Sequence, residues 1–297
     1  MSAGSEDSVI HTLIHWAERQ PGVRAMLLTS SRAIPGAPAD VFSDYDVILA
    51  LRDVQPFYEE RTWLEAFGPV LVVYRDALEP YYGSLKSCYV TQYENGLKID
   101  FTLWPVETLE RMAADPQLPD EFDAGYRVLL DKDHLTDALK PPTYRAYIPT
   151  PPTEIEYLTA VEEFFHEATY LAKHLWRDDL MAAKHTLDHS MKQGYLLPML
   201  EWRLEVDHDW ALKPGLYGRG LKKRLSSDLW AELESTYAGA GLEQNWEALF
   251  RTIALFRKVA IEAGDRLGYA YPDDLDRRAV AYLQKVKSLD RQTQSFS

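Results

Sequence analysis

Three aspartates in the first half of the chain have the spacing of a divalent-metal site. Asp44 and Asp46 lead into the apolar residues 47–51, which predict a buried strand, and Asp100 lies in the alternating segment 98–104. Residues two apart on a strand point to the same face, so Asp44 and Asp46 would project together where the strand begins. Neighbouring carboxylates repel unless a cation neutralises them, and hard oxygen ligands suit Mg²⁺. The three side chains therefore predict a site for one or two metal ions that clamp a triphosphate.

The alternative is that Asp44 and Asp46 are solvated loop residues, because Asp-x-Asp is common by chance. Three features favour the metal site. Ser30 and Ser31 end the preceding predicted strand, and a loop connects them to Asp44. Asp100 lies on the face of its segment opposite the apolar residues 99, 101 and 103. A third carboxylate on a nearby strand would complete a set of oxygen ligands.

Hydrophobic patterns predict the elements that must position these side chains. In residues 1–150, alternating or continuous apolar runs favour strands, apolar residues at helical spacing favour helices, and Asn95-Gly96 favours a hairpin. The predicted strands are 23–29, 46–52, 69–74, 87–93, 97–104 and 126–130, and the predicted helices are 8–20, 56–67 and 106–114, with a loop over 78–85. This half of the chain is predicted to form a mixed β-sheet with flanking helices.

A proline-rich connection, with prolines at 141, 142, 149, 151 and 152, separates this half from a second one whose pattern is helical throughout. Thr153 and Glu156 have the spacing of a capping box that opens the first helix. The predicted helices are 153–175, 178 or 179 to 194, 195–206, 226 or 227 to 237, 245–267 and 274–286. The sequence thus predicts an α+β protein, with a mixed-sheet domain over residues 1–150 and an all-α helical bundle domain over residues 151–297.

Composition narrows the class of partner. The chain has 297 residues and a net charge of −14, and residues 1–150 hold 23 acidic against 13 basic side chains. This acidic half disfavours nucleic acid, whose binding depends on neutralising phosphates, and suits a cationic small molecule. No apolar run reaches the length of a membrane span. The single cysteine, Cys88, cannot form an internal disulfide, so we expect a cytoplasmic protein.

The helical half contains one dense group of polar side chains around Trp176. The group includes the charged residues Lys173, Arg177, Asp178, Asp179 and Lys184. A solvated corner between two helices would explain such a group. A helical domain packed over a metal site could instead use lysine as a point charge and arginine as a forked donor to nucleotide phosphates.

Several segments resemble the aminoglycoside 6-adenylyltransferases (streptomycin adenylyltransferases), a family of polymerase-β-like nucleotidyltransferases. The likeness spans about residues 10–290 and lies in residues 29–32, 40–46, 96–103, 128–133, 172–180, 183–184, 246–250 and 255–257. The chain departs from the usual Gly-Ser pair of the superfamily, because it has Ser30-Ser31 at that place.

The resemblance implies a nucleotidyltransferase domain over residues 1–150 and a helical domain over 151–297 that completes a cleft for ATP and aminoglycoside. It implies transfer of AMP from ATP to a hydroxyl of a streptomycin-like acceptor, which releases pyrophosphate and inactivates the antibiotic. The implied catalytic residues and Mg²⁺ ligands are Asp44, Asp46 and Asp100, and the expected contacts to ATP are Ser30, Ser31, Arg32, Lys173, Arg177 and Lys184. The general base would be Asp100 or an acid of the helical domain.

A cationic acceptor needs carboxylates and aromatic faces that the metal leaves free. The expected contacts are Glu79, Tyr81, Trp176, Asp178 and Asp179. The alternative for Asp178 or Asp179 is a helix cap. Two rival functions share the fold: a non-catalytic protein that binds nucleotide or drug, and a nucleotidyltransferase with another small-molecule, protein or nucleic-acid acceptor. We expect a monomer or weak homodimer that contacts no membrane and no nucleic acid.

Overall fold

In the computed structural model, which describes residues 3–37 and 39–293, seven strands of the first half form a mixed sheet. Their order along the sheet is β3-β5-β6-β2-β1-β7, with β4 paired to β5. The pairing of β2 with β6 is parallel, and the other pairings are antiparallel. The strands are β1 Val23–Thr29, β2 Tyr45–Leu51, β3 Val70–Arg75, β4 Glu79–Tyr81, β5 Ser84–Tyr93, β6 Lys98–Pro105 and β7 Tyr126–Asp131.

Both faces of the central strands β1 and β2 are buried, which explains their continuous apolar sequences. On one face, even-numbered residues of β1 such as Met26 and odd-numbered residues of β2 such as Val47 pack in a core with the first helix. On the other face, Ile48 of β2 packs with Trp104. The helices of this half are α1 Ala3–Glu18, α2 Gln55–Glu59, α3 Val106–Ala114 and α4 Asp120–Asp123, and short 3₁₀ segments cover Ser30–Arg32 and Thr62–Phe67.

The second half is helical and has its own core. The Phe164 and Phe256 rings stack there with their centroids 3.7 Å apart. Its helices are α5 Glu154–Arg177, α6 Leu180–Lys184, a π-helix His185–Leu196, α7 Leu197–Glu205, α8 Leu221–Arg224, α9 Ser227–Ser235, α10 Leu242–Leu267 and α11 Asp273–Ser288, with a 3₁₀ turn at Leu216–Gly218. The chain divides into two compact units, Met1–Tyr147 and Ile148–Ser297. No helix of the described residues is long and apolar enough to cross a membrane.

Local predictions with a clear hydrogen-bonding signal are confirmed. Thr153 and Glu156 form the capping box that opens α5, and the Ser226 side chain accepts a hydrogen bond from the Leu229 amide at the start of α9. The mixed sheet and the helical second half are confirmed as well.

Three predicted segments differ from the structure. The predicted loop over 78–85 is wrong, because β4 and β5 form a hairpin there, with Tyr82 and Gly83 both at positive φ in its two-residue turn. The helix predicted over 56–67 is interrupted at residues 60 and 61. The break predicted after Gly194 is also wrong. The π-helix runs directly into α7, and Pro198 falls in the first turn of α7, where its missing amide hydrogen is tolerated.

Candidate active site

Parallel pairing of β2 with β6 brings two of the predicted aspartates side by side. Asp46 stands opposite Asp100 in the register of these strands, although 54 residues separate them in sequence. Both side chains alternate with the core residues Val47 and Phe101, so they lie together on the opposite face of the sheet. Asp44 directly precedes β2 on that face. The fold therefore gathers the three predicted carboxylates within the first unit.

Lys98, which the sequence analysis did not assign to the site, links two of these carboxylates. Its ammonium group donates to Asp44 Oδ2 at 2.5 Å and to Asp100 Oδ2 at 2.9 Å. The Lys98 side chain is 29% exposed and the Asp100 side chain 18% exposed, so water screens these contacts only partly. In the sequence, the one sign that Lys98 could reach the site is that it precedes Asp100 by two residues and therefore lies on the same face of the strand.

The pKa values of the site follow from burial and from crowding of like charges. Burial raises the pKa of Asp46 to about 6; a hydrogen bond from Ser30 opposes this, and the carboxylates of Asp100 and Asp44 add to it. Burial also raises the pKa of Asp100, against the opposing effect of Lys98. Burial lowers the pKa of Lys98, but its hydrogen bonds to Asp44 and Asp100 outweigh that effect and leave it raised. The site is thus short of positive charge.

The donor set fits a hard divalent cation. Three carboxylates face a single ammonium group, and Asp100 Oδ1 is buried and accepts no regular hydrogen bond from the described residues. Across residues 3–37 and 39–293, however, no three acidic, histidine or cysteine side chains already stand as a metal-binding group. The residue types suit Mg²⁺, but Lys98 lies between two of the oxygens that would bind it.

Ser30 combines a strained backbone with a hydroxyl group that contacts Asp46. Its φ is +59°, a left-handed conformation that costs a non-glycine residue about 1 kcal/mol or more. The hydroxyl donates to the Asp46 carboxylate and so holds the side chain of this aspartate. Thr29, at the end of β1, pairs with Asp46 across the strands, which brings the turn Ser30–Arg32 to the site.

Arg32 fixes the loop that leads into β2. Its guanidinium group is buried, donates to the carbonyl oxygens of Ser43 at 2.8 Å and Asp44 at 3.0 Å, and lies 3.9 Å from the centre of the Tyr45 ring. These contacts orient the backbone of Asp44. Contact of Arg32 with ATP stays a prediction.

The predicted acceptor contacts of the first unit lie on β4. Glu79 pairs with Lys86 at 3.3 Å, and its side chain is 59% exposed. Tyr81 stacks on Trp104 with ring centroids 5.3 Å apart and donates its hydroxyl hydrogen to Glu121. Burial, followed by the Glu121 carboxylate, raises the pKa of Tyr81. Glu121 was not predicted, because only the fold of α4 brings it to Tyr81.

In the second unit, the end of α5 gathers four of the predicted residues. Trp176 donates its indole hydrogen to the Leu289 carbonyl at 3.1 Å, and Arg177 is exposed in the last turn. Asp178 has a φ of +64° at the helix end and accepts from Arg291 at 3.3 Å. Asp179 takes the N-cap position of α6, without a capping bond from its side chain to any described residue.

The two predicted lysines of this unit have different surroundings. Lys173 Nζ lies 3.8 Å from the centre of the Tyr170 ring. Lys184 donates to Asp188 at 2.6 Å and to the Ala238 carbonyl at 2.9 Å, so it ties the start of the π-helix to the loop after α9. Their contact with ATP stays a prediction.

The chain is similar to known proteins over most of its length. The sequence model of the family described as "Streptomycin adenylyltransferase" matches residues 4–286. An aminoglycoside 6-adenylyltransferase of Bacillus subtilis is 31% identical over 273 residues, which cover 91% of this chain and 93% of the relative. One of Campylobacter jejuni is 27% identical over 271 residues, which cover 90% and 91%. The crystal structure of an aminoglycoside 6-adenyltransferase from Bacillus subtilis is 28% identical, covers 95% of this chain and 98% of its own, and superposes loosely with a TM-score of 0.48. The sequence matches therefore carry the argument.

Proposed function

Because the chain belongs to the streptomycin adenylyltransferase family, and is thus an adenylyltransferase, we propose that it transfers AMP from ATP to a hydroxyl of a streptomycin-like aminoglycoside, with release of pyrophosphate. The observation that carries the proposal is the alignment of Asp46 with Asp100 on parallel strands, next to Asp44. Three carboxylates on one face are what a Mg²⁺-dependent transfer needs.

In this proposal Asp44, Asp46 and Asp100 hold Mg²⁺, which supplies charge neutralisation at the phosphates when it is bound. The remaining work is positioning by this chain's own residues. The Ser30 hydroxyl orients the Asp46 carboxylate, and the Arg32 guanidinium fixes the backbone at Asp44. Both contacts hold the carboxylates in place before the nucleotide arrives, which reduces the cost of reorganisation during the reaction.

For the substrates, we propose that Ser30, Ser31 and Arg32 contact the triphosphate together with Lys173, Arg177 and Lys184. The exposure of Arg177 supports its proposed contact with the triphosphate, because its guanidinium group is accessible to a ligand. For the cationic acceptor, the exposed carboxylates of Glu79, Asp178 and Asp179 would pair with guanidinium or ammonium groups, and the aromatic rings of Tyr81 and Trp176 would pack against the acceptor.

The test is pyrophosphate release from Mg·ATP across a panel of aminoglycosides. We expect release that requires both the metal and a streptomycin-like acceptor, and its loss in Asp46→Asn and Asp100→Asn. Asp137→Asn, which removes a charge from a side chain that is 71% exposed, serves as the matched control and should keep full activity. Binding of ATP and drug without pyrophosphate release would favour the non-catalytic rival. Activity only with a different acceptor would favour another nucleotidyltransferase.

A further inference from the structure

The ammonium group of Lys98 contacts two of the three carboxylates that would hold a metal ion. It contacts Asp44 Oδ2 at 2.5 Å and Asp100 Oδ2 at 2.9 Å, and each of these oxygens belongs to a proposed metal ligand. Its position on the sheet is set by β6, because it shares a face with Asp100 two residues away. The contact is therefore built into the fold of the first unit.

A divalent cation bound to these carboxylates would lie close to the ammonium group that already contacts one oxygen of each. Two cations within a few ångströms of each other repel strongly in a partly buried site. Metal binding is therefore weakened while Lys98 stays in place, and Lys98 moves away at little cost only if another anion accepts its hydrogen bonds. A nucleotide triphosphate brings such an anion together with the metal. The Lys98 side chain is 29% exposed, so it has room to turn toward a ligand.

We infer that Lys98 is an internal counter-cation that makes metal binding depend on the nucleotide. Without nucleotide, it neutralises Asp44 and Asp100 and keeps free Mg²⁺ from binding tightly. When Mg·ATP binds, the ammonium group leaves these carboxylates and pairs with the phosphates. This inference rests on the proposed function, since it takes the three aspartates to be metal ligands.

A purely structural role is the competing explanation. Lys98 would then hold the residues before β2 against the start of β6, and its removal would loosen the site and weaken metal binding. The two explanations predict opposite changes in metal affinity when the positive charge is removed.

The experiment measures Mn²⁺ binding to the full chain by electron paramagnetic resonance, with and without a non-hydrolysable ATP analogue. In the wild type we expect weak binding of Mn²⁺ alone and at least tenfold tighter binding with the analogue. In Lys98→Met we expect Mn²⁺ alone to bind at least tenfold more tightly than in the wild type, with a smaller effect of the analogue. Lys98→Arg keeps the positive charge and should retain weak binding of Mn²⁺ alone.

The matched control is Lys258→Met, which removes a lysine paired with Glu232 in the second unit and should leave Mn²⁺ affinity unchanged. Melting curves establish that each variant folds, and Lys98→Gln replaces the Met variant if that one does not fold. Unchanged or weaker Mn²⁺ binding in the neutral variants, together with loss of binding in Asp46→Asn, would overturn the inference and leave the metal site intact. Absence of Mn²⁺ binding in the wild type even with the analogue would overturn both this inference and the proposed metal site.

Discussion

Asp46→Asn is expected to stabilise the protein while it abolishes activity. Burial and the neighbouring carboxylates raise the pKa of Asp46 from 3.8 to about 6, so the ionised form is disfavoured in the folded state. A shift of about two units corresponds to roughly 3 kcal/mol at about 1.4 kcal/mol per unit. Because the Asp46 side chain is not fully buried, water screens part of this cost. We therefore expect the neutral, isosteric asparagine to raise the free energy of unfolding by about 1–3 kcal/mol.

The sign of the pH dependence follows from the direction of the shift. Below the unfolded pKa of 3.8 the carboxyl is protonated in both states, and it has no effect on stability. Between that value and about 6 the folded state keeps a proton that the unfolded chain has lost, so stability falls as pH rises through this window. The advantage of Asp46→Asn should therefore be full at pH 8 and vanish near pH 4.

Thermal melting between pH 4 and pH 8 measures this difference without added metal. At about 2–4 °C per kcal/mol for a unit of this size, the variant should melt about 2–12 °C above the wild type at pH 8. Asp137→Asn, at an exposed site, should give only a small difference at each pH. The reasoning would be refuted if the variant melted below the wild type at pH 8. It would also be refuted if the difference in melting temperature between variant and wild type were the same at every pH.

Three further predictions concern the strained turn and the two substrates. Ser30→Gly should be about 1 kcal/mol more stable in urea unfolding than Ser30→Ala, because only glycine relieves the left-handed strain, while both lose the hydroxyl that orients Asp46 and show similarly reduced pyrophosphate release. Lys173→Ala should weaken ATP binding or slow the chemical step and leave aminoglycoside binding unchanged in calorimetric titrations; the reverse pattern would place Lys173 at the acceptor. At least one of Asp178→Asn and Asp179→Asn should raise the aminoglycoside KM at least tenfold at fixed ATP, an effect that weakens as salt increases, whereas wild-type KM in both would leave them with a structural role.

Much of the sheet could be predicted from alternation within single segments. The pattern of residues 98–104 placed Asp100 opposite the face of Phe101, and the structure puts Phe101 in the core next to α1. Asn95-Gly96 predicted the turn between β5 and β6, which the register confirms. In these places a short stretch of sequence contains all the information that is needed.

Features that depend on distant pairing could not be predicted in this way. A lysine two residues before an aspartate resembles an ordinary surface residue, and only the parallel register of β2 and β6 brings Lys98 to Asp44. The turn at Tyr82 escaped prediction because a tyrosine rarely adopts positive φ. The π-helix escaped it because Gly194 usually interrupts a helix, and the altered hydrogen-bond spacing of a π-helix leaves no sequence signal.

The central claim is that the protein transfers an adenylyl group to an aminoglycoside through a site built on Asp44, Asp46 and Asp100. Mass spectrometry of streptomycin after incubation with the protein and Mg·ATP tests it most directly. The account predicts a product heavier by one adenylyl group, formed in step with pyrophosphate, absent without Mg²⁺ and absent with Asp46→Asn. Unmodified streptomycin together with ATP turnover, or an adduct that forms equally well with Asp46→Asn, would contradict it.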